Sequence, residues 1–364
     1  MSIQIKLLVI LTVLACIIFG GCQSKVGFEP LKFSHQDEMV RQGDFIVLAD
    51  RRIFAVMAFM NACGFDTEYP GQQMHPVRLR IRKAIEERGA KHADAIERWK
   101  KYYREHTMGS YCYLDFALSL NDDYPFRRIR PDGELGYPFT AKRLADFPDI
   151  LNEFWETLEM EQVWEQVKPD YLADINKYDF ERMAKKLSFI WEYLRLRRKD
   201  NFTFVSVPNL LDTHYHAIGA KYENYWYMVE SPGAHSYDFN VHEYLHSIIN
   251  SLVEANYKTY REKLDGYFKA GKDMPIAESY GRPVTYTYEC LVRALDKRIN
   301  VVMKNDPATT TICENRVAEL TKEGLLLVGP FYRLLPAYED SDMNFEQFLP
   351  NMLERLPEYS KLKN

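Results

Sequence analysis

At 364 residues the chain is long enough for one large domain or two ordinary ones. Its apolar content of 46% and charged content of 27% are those of a soluble globular protein. A formal net charge of −5 argues against a nucleic-acid partner held through phosphate contacts.

The first residues read differently from the rest. Lys6 precedes an apolar run from Leu7 to Phe19, followed by Gly20-Gly21-Cys22. A charged start, an apolar stretch and small residues form the pattern of an export signal. The run is too short for a comfortable transmembrane helix. Small residues directly before a cysteine resemble the bacterial lipobox, which implies lipidation of Cys22. Phe19 stands where that motif usually has Leu. Val13-Leu14-Ala15-Cys16 is a second candidate with a very short apolar stretch, and an uncleaved N-terminal anchor is the other reading. Each reading tethers an exported body to a membrane. Gln23 after the cysteine, by the same resemblance, implies the outer membrane.

Residues 23–43 are expected to be a tether, and 44–200 a mainly helical N-terminal region. Asp44–Leu48 reads as a first strand or the start of a helix. Ile53, Val56, Met57 and Met60 have helical spacing within Arg51–Ala62, closed by Gly64. Pro76 opens a charged helical stretch through about Arg104, with Val77, Ile81 and Ile85 on one face. Asn121–Gly136 reads as a loop, and helical patterns resume at Ala141–Leu158 and Phe180–Arg197. Cys63, Cys112, Cys290 and Cys313 allow three disulfide pairings, and free buried thiols are an equal reading.

From Asn201 the texture becomes β-rich. Phe202–Val207, Thr213–Tyr222 and Asn224–Glu230 predict a small sheet within 201–230. A helix follows over about 240–256, and helical segments continue with breaks at Gly281–Pro283, Asn305–Pro307 and Gly329–Pro330. The fold class expected is α+β, mostly helical.

The helix over about 240–256 carries a pentad, His242-Glu243-Tyr244-Leu245-His246. A chain of this composition would show HExxH by chance about 2% of the time. Positions i and i+4 share a helix face, so His242 and His246 can offer two imidazoles to one metal ion. Glu243 can act as general base toward a bound water. No His follows His246, so the third ligand is sought among later carboxylates: Glu254, Glu262, Glu278, Glu289, Glu314 or Glu319. Glu289 fits best, beside the apolar stripe Tyr288, Val292, Leu295, Ile299. Arg293 and Asp296 continue its own stripe and are expected to orient it or balance its charge. Its plain alternative is an intrahelical pair with Arg293. His214 and His216 alternate on a strand and could join His235 at a second site, or simply face a groove.

His242-Glu243-xx-His246 with a Glu on a later helix resembles the gluzincin arrangement of zincin metallopeptidases. The segment Phe202–Ile299 also resembles a family of exported bacterial lipoproteins with such a site. The likeness is carried by the strand segment, the HExxHS sequence with Asn250, and Glu289-Cys290-Leu291-Val292-Arg293-Ala294. It implies a zincin-like catalytic region over 201–364 with one Zn2+ held by His242, His246 and Glu289, acting on peptides or proteins. Such enzymes often use a Tyr or His to stabilise the oxyanion, for which Tyr332, Tyr286 and Tyr288 are candidates. In zincins the last strand before the helix is often an edge that receives substrate, which would give that role to Tyr225, Trp226 and Tyr227. A contrasting expectation is a non-catalytic surface lipoprotein binding peptide or glycan, with a structural or vestigial metal.

Overall fold

In the computed structural model, the described residues are 34–66, 73–197, 202–214, 217–222, 224–232, 237–274 and 276–358. The expected signal peptide at 1–22, with Cys22, lies outside them. The contacts divide into two compact units, and the boundary does not follow the chain order.

One unit holds residues 34–179 and 203–232. Its sheet comprises β1 (Met39–Gln42), β2 (Phe45–Leu48), β3 (Thr203–Pro208), β4 (Ala217–Tyr222) and β5 (Tyr225–Glu230), in the order β1-β2-β3-β5-β4. β2, β3 and β5 run parallel, while β1 and β4 flank them antiparallel. The sequences match these places. Phe45-Ile46-Val47-Leu48 and the whole of β3 are buried, as parallel strands covered on both faces require. β1 is exposed from Val40 onward and carries Arg41, while β4 exposes Lys221, charges that suit sheet edges.

Two expectations are corrected here. Residues 39–42 belong to the sheet and are not tether; a strand with only one partner needs no apolar run, so the sequence hid it. The strand Tyr225–Glu230 is not an edge. It lies between β3 and β4, and Trp226 and Tyr227 are buried. The strand-addition ground for giving Tyr225, Trp226 and Tyr227 to substrate therefore falls away.

Seven helices share this unit: α1 (Arg51–Ala62), α2 (Pro76–Gly89), α3 (Ala93–Glu105), α4 (Ser110–Ala117), α5 (Phe139–Arg143), α6 (Phe147–Thr157) and α7 (Met160–Ile175). The single charged stretch expected from Pro76 is two helices, and α4 and α7 had no sequence counterpart. α1 is buried along almost its whole surface, so it forms the centre of this unit. Asp50 caps it through Arg52 and Ile53 amides and also pairs with the wholly buried Arg52 guanidinium at 2.6 Å. Leu118 and Leu120 carbonyls accept the remaining Arg52 donors, so the buried charge is paired and hydrogen-bonded. Gly64, at φ +94°, ends α1 in the left-handed region where glycine is favoured.

The second unit holds residues 180–197, 202 and 237–358. It contains α8 (Phe180–Leu194), α9 (Tyr237–Gly271), α10 (Pro283–Lys304), α11 (Pro307–Lys322), α12 (Val328–Glu339) and α13 (Phe345–Arg355). The sheet thus belongs with the N-terminal helices and not with the pentad helix, against the expected division at 200/201. The architecture is a mostly helical α+β fold. α9 runs well past the expected end near 256, because no Gly or Pro interrupts it until Gly266. α10 starts at Pro283 and ends at Asn305 in the left-handed region, while Asp306 caps α11 through the Thr309 amide. The break expected at Gly329-Pro330 falls earlier: both lie in the first turn of α12, where proline lacks only an amide that the helix leaves free. No described helix is long and apolar enough to cross a membrane.

Candidate metal centre

α9 and α10 pack against each other and bring the pentad to Glu289. The stretch Asn240–His246 is buried on every side, more deeply than the margin of an apolar stripe would place it. Tyr244 helps explain this. Its hydroxyl accepts from Trp191 Nε1 of α8 at 2.5 Å, and its ring packs edge-on against Phe202. The pentad residue between the ligands is thereby fixed into the core.

His242, His246 and Glu289 each direct a ligand atom into one spot, all within 4.8 Å of one another. The two Nε2 atoms are 3.1 Å apart. Glu289 Oε1 lies 3.4 Å from His242 Nε2, and Oε2 lies 3.1 Å from His246 Nε2. His246 Nδ1 donates to Asn250 Oδ1 at 2.9 Å, which leaves Nε2 as the electron-pair donor. The Tyr288 ring stands edge-on to His246 with centroids 5.7 Å apart. Glu289 is completely buried, and Arg293 donates to its Oε1 at 2.5 Å. Tyr280, buried ahead of α10, lies beside both Arg293 and Glu289, and their charges act on its hydroxyl.

The electrostatics follow from burial and these neighbours. Burial pushes His242 down to about 4, against the pull of Glu289. Burial acts on His246 in the same direction, but the hydrogen bond with Glu289 and its charge outweigh it and raise the imidazole. Burial also opposes ionisation of Glu289, yet Arg293 and the two imidazoles together hold it well below the usual carboxylate range. Burial pushes Glu243 up to about 7; the charge of Glu289 adds to this, and those of His246 and Arg293 oppose it without overcoming it.

These residues fit a cation. Among the described residues Glu243 Oε1 is buried without a hydrogen-bond partner, and Glu289 Oε2 faces only His246 Nε2, a costly state for carboxylate oxygens that a nearby cation relieves. Among the described residues His242, His246 and Glu289 are the one such convergent group, and they can hold a metal ion.

The other expected site residues are dispersed. Asp296 accepts from Lys297 at 2.7 Å and from Asn300 at 3.3 Å, two turns or about 10 Å along α10 from Glu289. It is not a partner of the ligands. Tyr332, on α12, faces Arg298, Cys313 and Glu314 rather than the centre. Tyr286 is engaged elsewhere, donating to the Gly324 carbonyl at 2.8 Å. Tyr288 does reach the centre through its ring, while its hydroxyl donates to Thr285 at 3.2 Å. Sequence reasoning missed Tyr280 outright. It gave Asn250 no role, although Asn at i+4 from a ligand His is a readable signal. Of the second histidine group, His216 and His235 lie outside the described residues, and the His214 ring is 6.4 Å from that of His75. Cys63, Cys112, Cys290 and Cys313 are free thiols.

No family model, curated protein or solved structure matches the chain.

Proposed function

We propose that the protein is a metal-dependent hydrolase, and more narrowly a zinc metallopeptidase of gluzincin type. The observation that supports this reading best is the buried convergence of His242, His246 and Glu289 beside Glu243, whose Oε1 no described residue satisfies. Two imidazoles and a carboxylate are a donor set of catalytic zinc sites, which keep a further position open. Zinc held there supplies Lewis-acid polarisation of a carbonyl and acidification of water.

The chain's own groups account for the rest. Glu243 takes a proton from the water whose oxygen forms the new bond to the scissile carbonyl carbon. It returns that proton to the departing amine as the C–N bond breaks. Asn250 holds the His246 ring in orientation, and Arg293 with Tyr280 holds Glu289. The N-terminal sequence supports export, with Cys22 lipidated and the body anchored at the outer membrane, where peptides or proteins are the substrates. A purely structural metal has no need of Glu243, which weighs against the non-catalytic alternative.

The test is cleavage of a peptide library by purified protein, with and without chelator, alongside Glu243→Gln. Chelator-sensitive cleavage that disappears in Glu243→Gln, with zinc retained, is expected. Absence of cleavage by zinc-loaded protein, or unchanged turnover in Glu243→Gln, removes the reading.

A further inference from the structure

A cavity of about 770 Å³ opens among α8, α10 and α11, away from the ligand group. Lys297, on its wall, lies eight residues or about 12 Å along α10 from Glu289. The wall carries Arg182 and Lys185 from α8, Lys297 and Lys304 from α10, and Arg316 from α11, against one acid, Glu319. This is a local reversal in a chain of net charge −5. Lys297 pairs with Asp296 at 2.7 Å and Arg316 with Glu319 at 3.0 Å, and Arg182 is also engaged. Lys185 and Lys304 have no ion-pair partner among the described residues.

A further cation stands behind the wall. Lys186 is wholly buried, and its Nζ donates to Oδ1 of Asn300, a lining residue, at 2.6 Å. Three helices converging like charges on one concave space is unfavourable for folding and favourable for an anion. The volume is in the range of small-molecule sites. Guanidinium forks and lysine ammonium groups together suit phosphate oxygens.

We propose that this cavity binds an anion carrying two or more phosphate charges. A soluble phosphate ester and a phospholipid headgroup share that chemistry. Ile312, a lining residue 68% exposed, offers apolar surface that an acyl chain would cover.

The test is calorimetric titration of the full chain with inorganic pyrophosphate, in excess EDTA so that the His242, His246 and Glu289 group is metal-free. Saturable binding at one site is expected, weakened at least tenfold in Lys185→Gln/Lys304→Gln. The charge-preserving Lys185→Arg/Lys304→Arg retains affinity, as does Lys258→Gln/Lys269→Gln on α9, outside the cavity. No saturable binding to the unaltered chain, or equal affinity in the Lys185→Gln/Lys304→Gln variant, overturns the proposal. Titration with dihexanoyl phosphatidic acid separates the sources: tighter binding than pyrophosphate assigns a lipid headgroup, and weaker binding a soluble phosphate.

Discussion

Arg293 donates from Nε to Oε1 of Glu289 at 2.5 Å, one turn along the same helix. On an exposed surface such a pair contributes a few tenths of a kcal/mol. Here Glu289 is completely buried, and the guanidinium is the largest of the influences, with the two imidazoles, that keep its carboxylate ionised. Arg293→Met should therefore lower zinc affinity by about 10–100-fold while leaving the helical circular dichroism intact. Competition with a chromophoric chelator measures it. Affinity within twofold of the unaltered chain would show that Arg293 has no part in orienting the ligand.

The same reasoning extends to Asn250. Its Oδ1 accepts the His246 Nδ1 proton, so Asn250→Ala should release the ring and reduce zinc affinity by about 10–100-fold. Asn250→Asp, which keeps an acceptor, should restore most of it. A loss equal in both variants would point to packing of α9 rather than to the hydrogen bond.

Zinc binding should also be visible as stability. His242, His246 and Glu289 converge on one buried spot, and a cation bound there by the folded chain alone shifts the folding equilibrium by mass action. Free zinc at 100 times its dissociation constant should add about 2.7 kcal/mol. The thermal midpoint should rise with zinc in the unaltered chain and stay constant in Glu289→Ala. An equal rise in Glu289→Ala would remove that residue from the ligand set.

Why the ligands were readable and their neighbours were not follows from sequence separation. His242, His246 and Glu243 sit within one helical turn and a half, and Arg293 is one turn from Glu289, so helical periodicity alone aligns them. Asp296 continues the same stripe, but two turns carry it out of reach. Periodicity gives direction around a helix and says nothing of distance from a point on a second helix. Tyr280 precedes α10 in an irregular segment where no period applies, and Tyr332 was one choice among 25 tyrosines. The sheet shows the same limit. β2 pairs with β3 across more than 150 intervening residues, as in Ile46 opposite Val205. β3 and β5 were visible in their β-branched and aromatic residues, while the strand order, and so the interior place of β5, was not.

A pH effect should arise in the other unit, at His75. Its Nδ1 accepts the Val77 amide at 3.3 Å and so caps α2. Accepting requires an unprotonated Nδ1, and a cation at a helix N-terminus is opposed by the helix dipole. Burial lowers the His75 pKa from 6.5; Asp174 and Asp170 act against this, and His214 and Lys177 act with it. Below 6.5 the unfolded chain takes up a proton that the folded chain refuses. Stability should therefore fall as pH drops from 6.5 toward the lowered folded value. His75→Asn keeps a capping acceptor without titrating and should flatten that window, with a difference of about 1 kcal/mol, the usual worth of a cap. Urea midpoints at pH 7 and pH 5 for both proteins measure it; parallel curves would exclude His75 as the source.

The interior place of β5 makes the last prediction a test of what its aromatics do. Tyr227 is completely buried and its ring lies 5.9 Å from the Arg52 guanidinium, which is itself wholly buried and paired with Asp50. Removing the ring leaves a cavity and exposes one face of a buried ion pair to weaker packing. Tyr227→Ala should therefore cost about 3–5 kcal/mol of folding stability, the range for large aromatic truncations in cores. Chemical denaturation reads this directly. If Tyr227 instead met substrate at an open edge, the variant would keep its denaturation midpoint and lose peptide affinity. The denaturation midpoint falls in one case and is unchanged in the other, so a single pair of experiments decides between a core residue and a substrate contact.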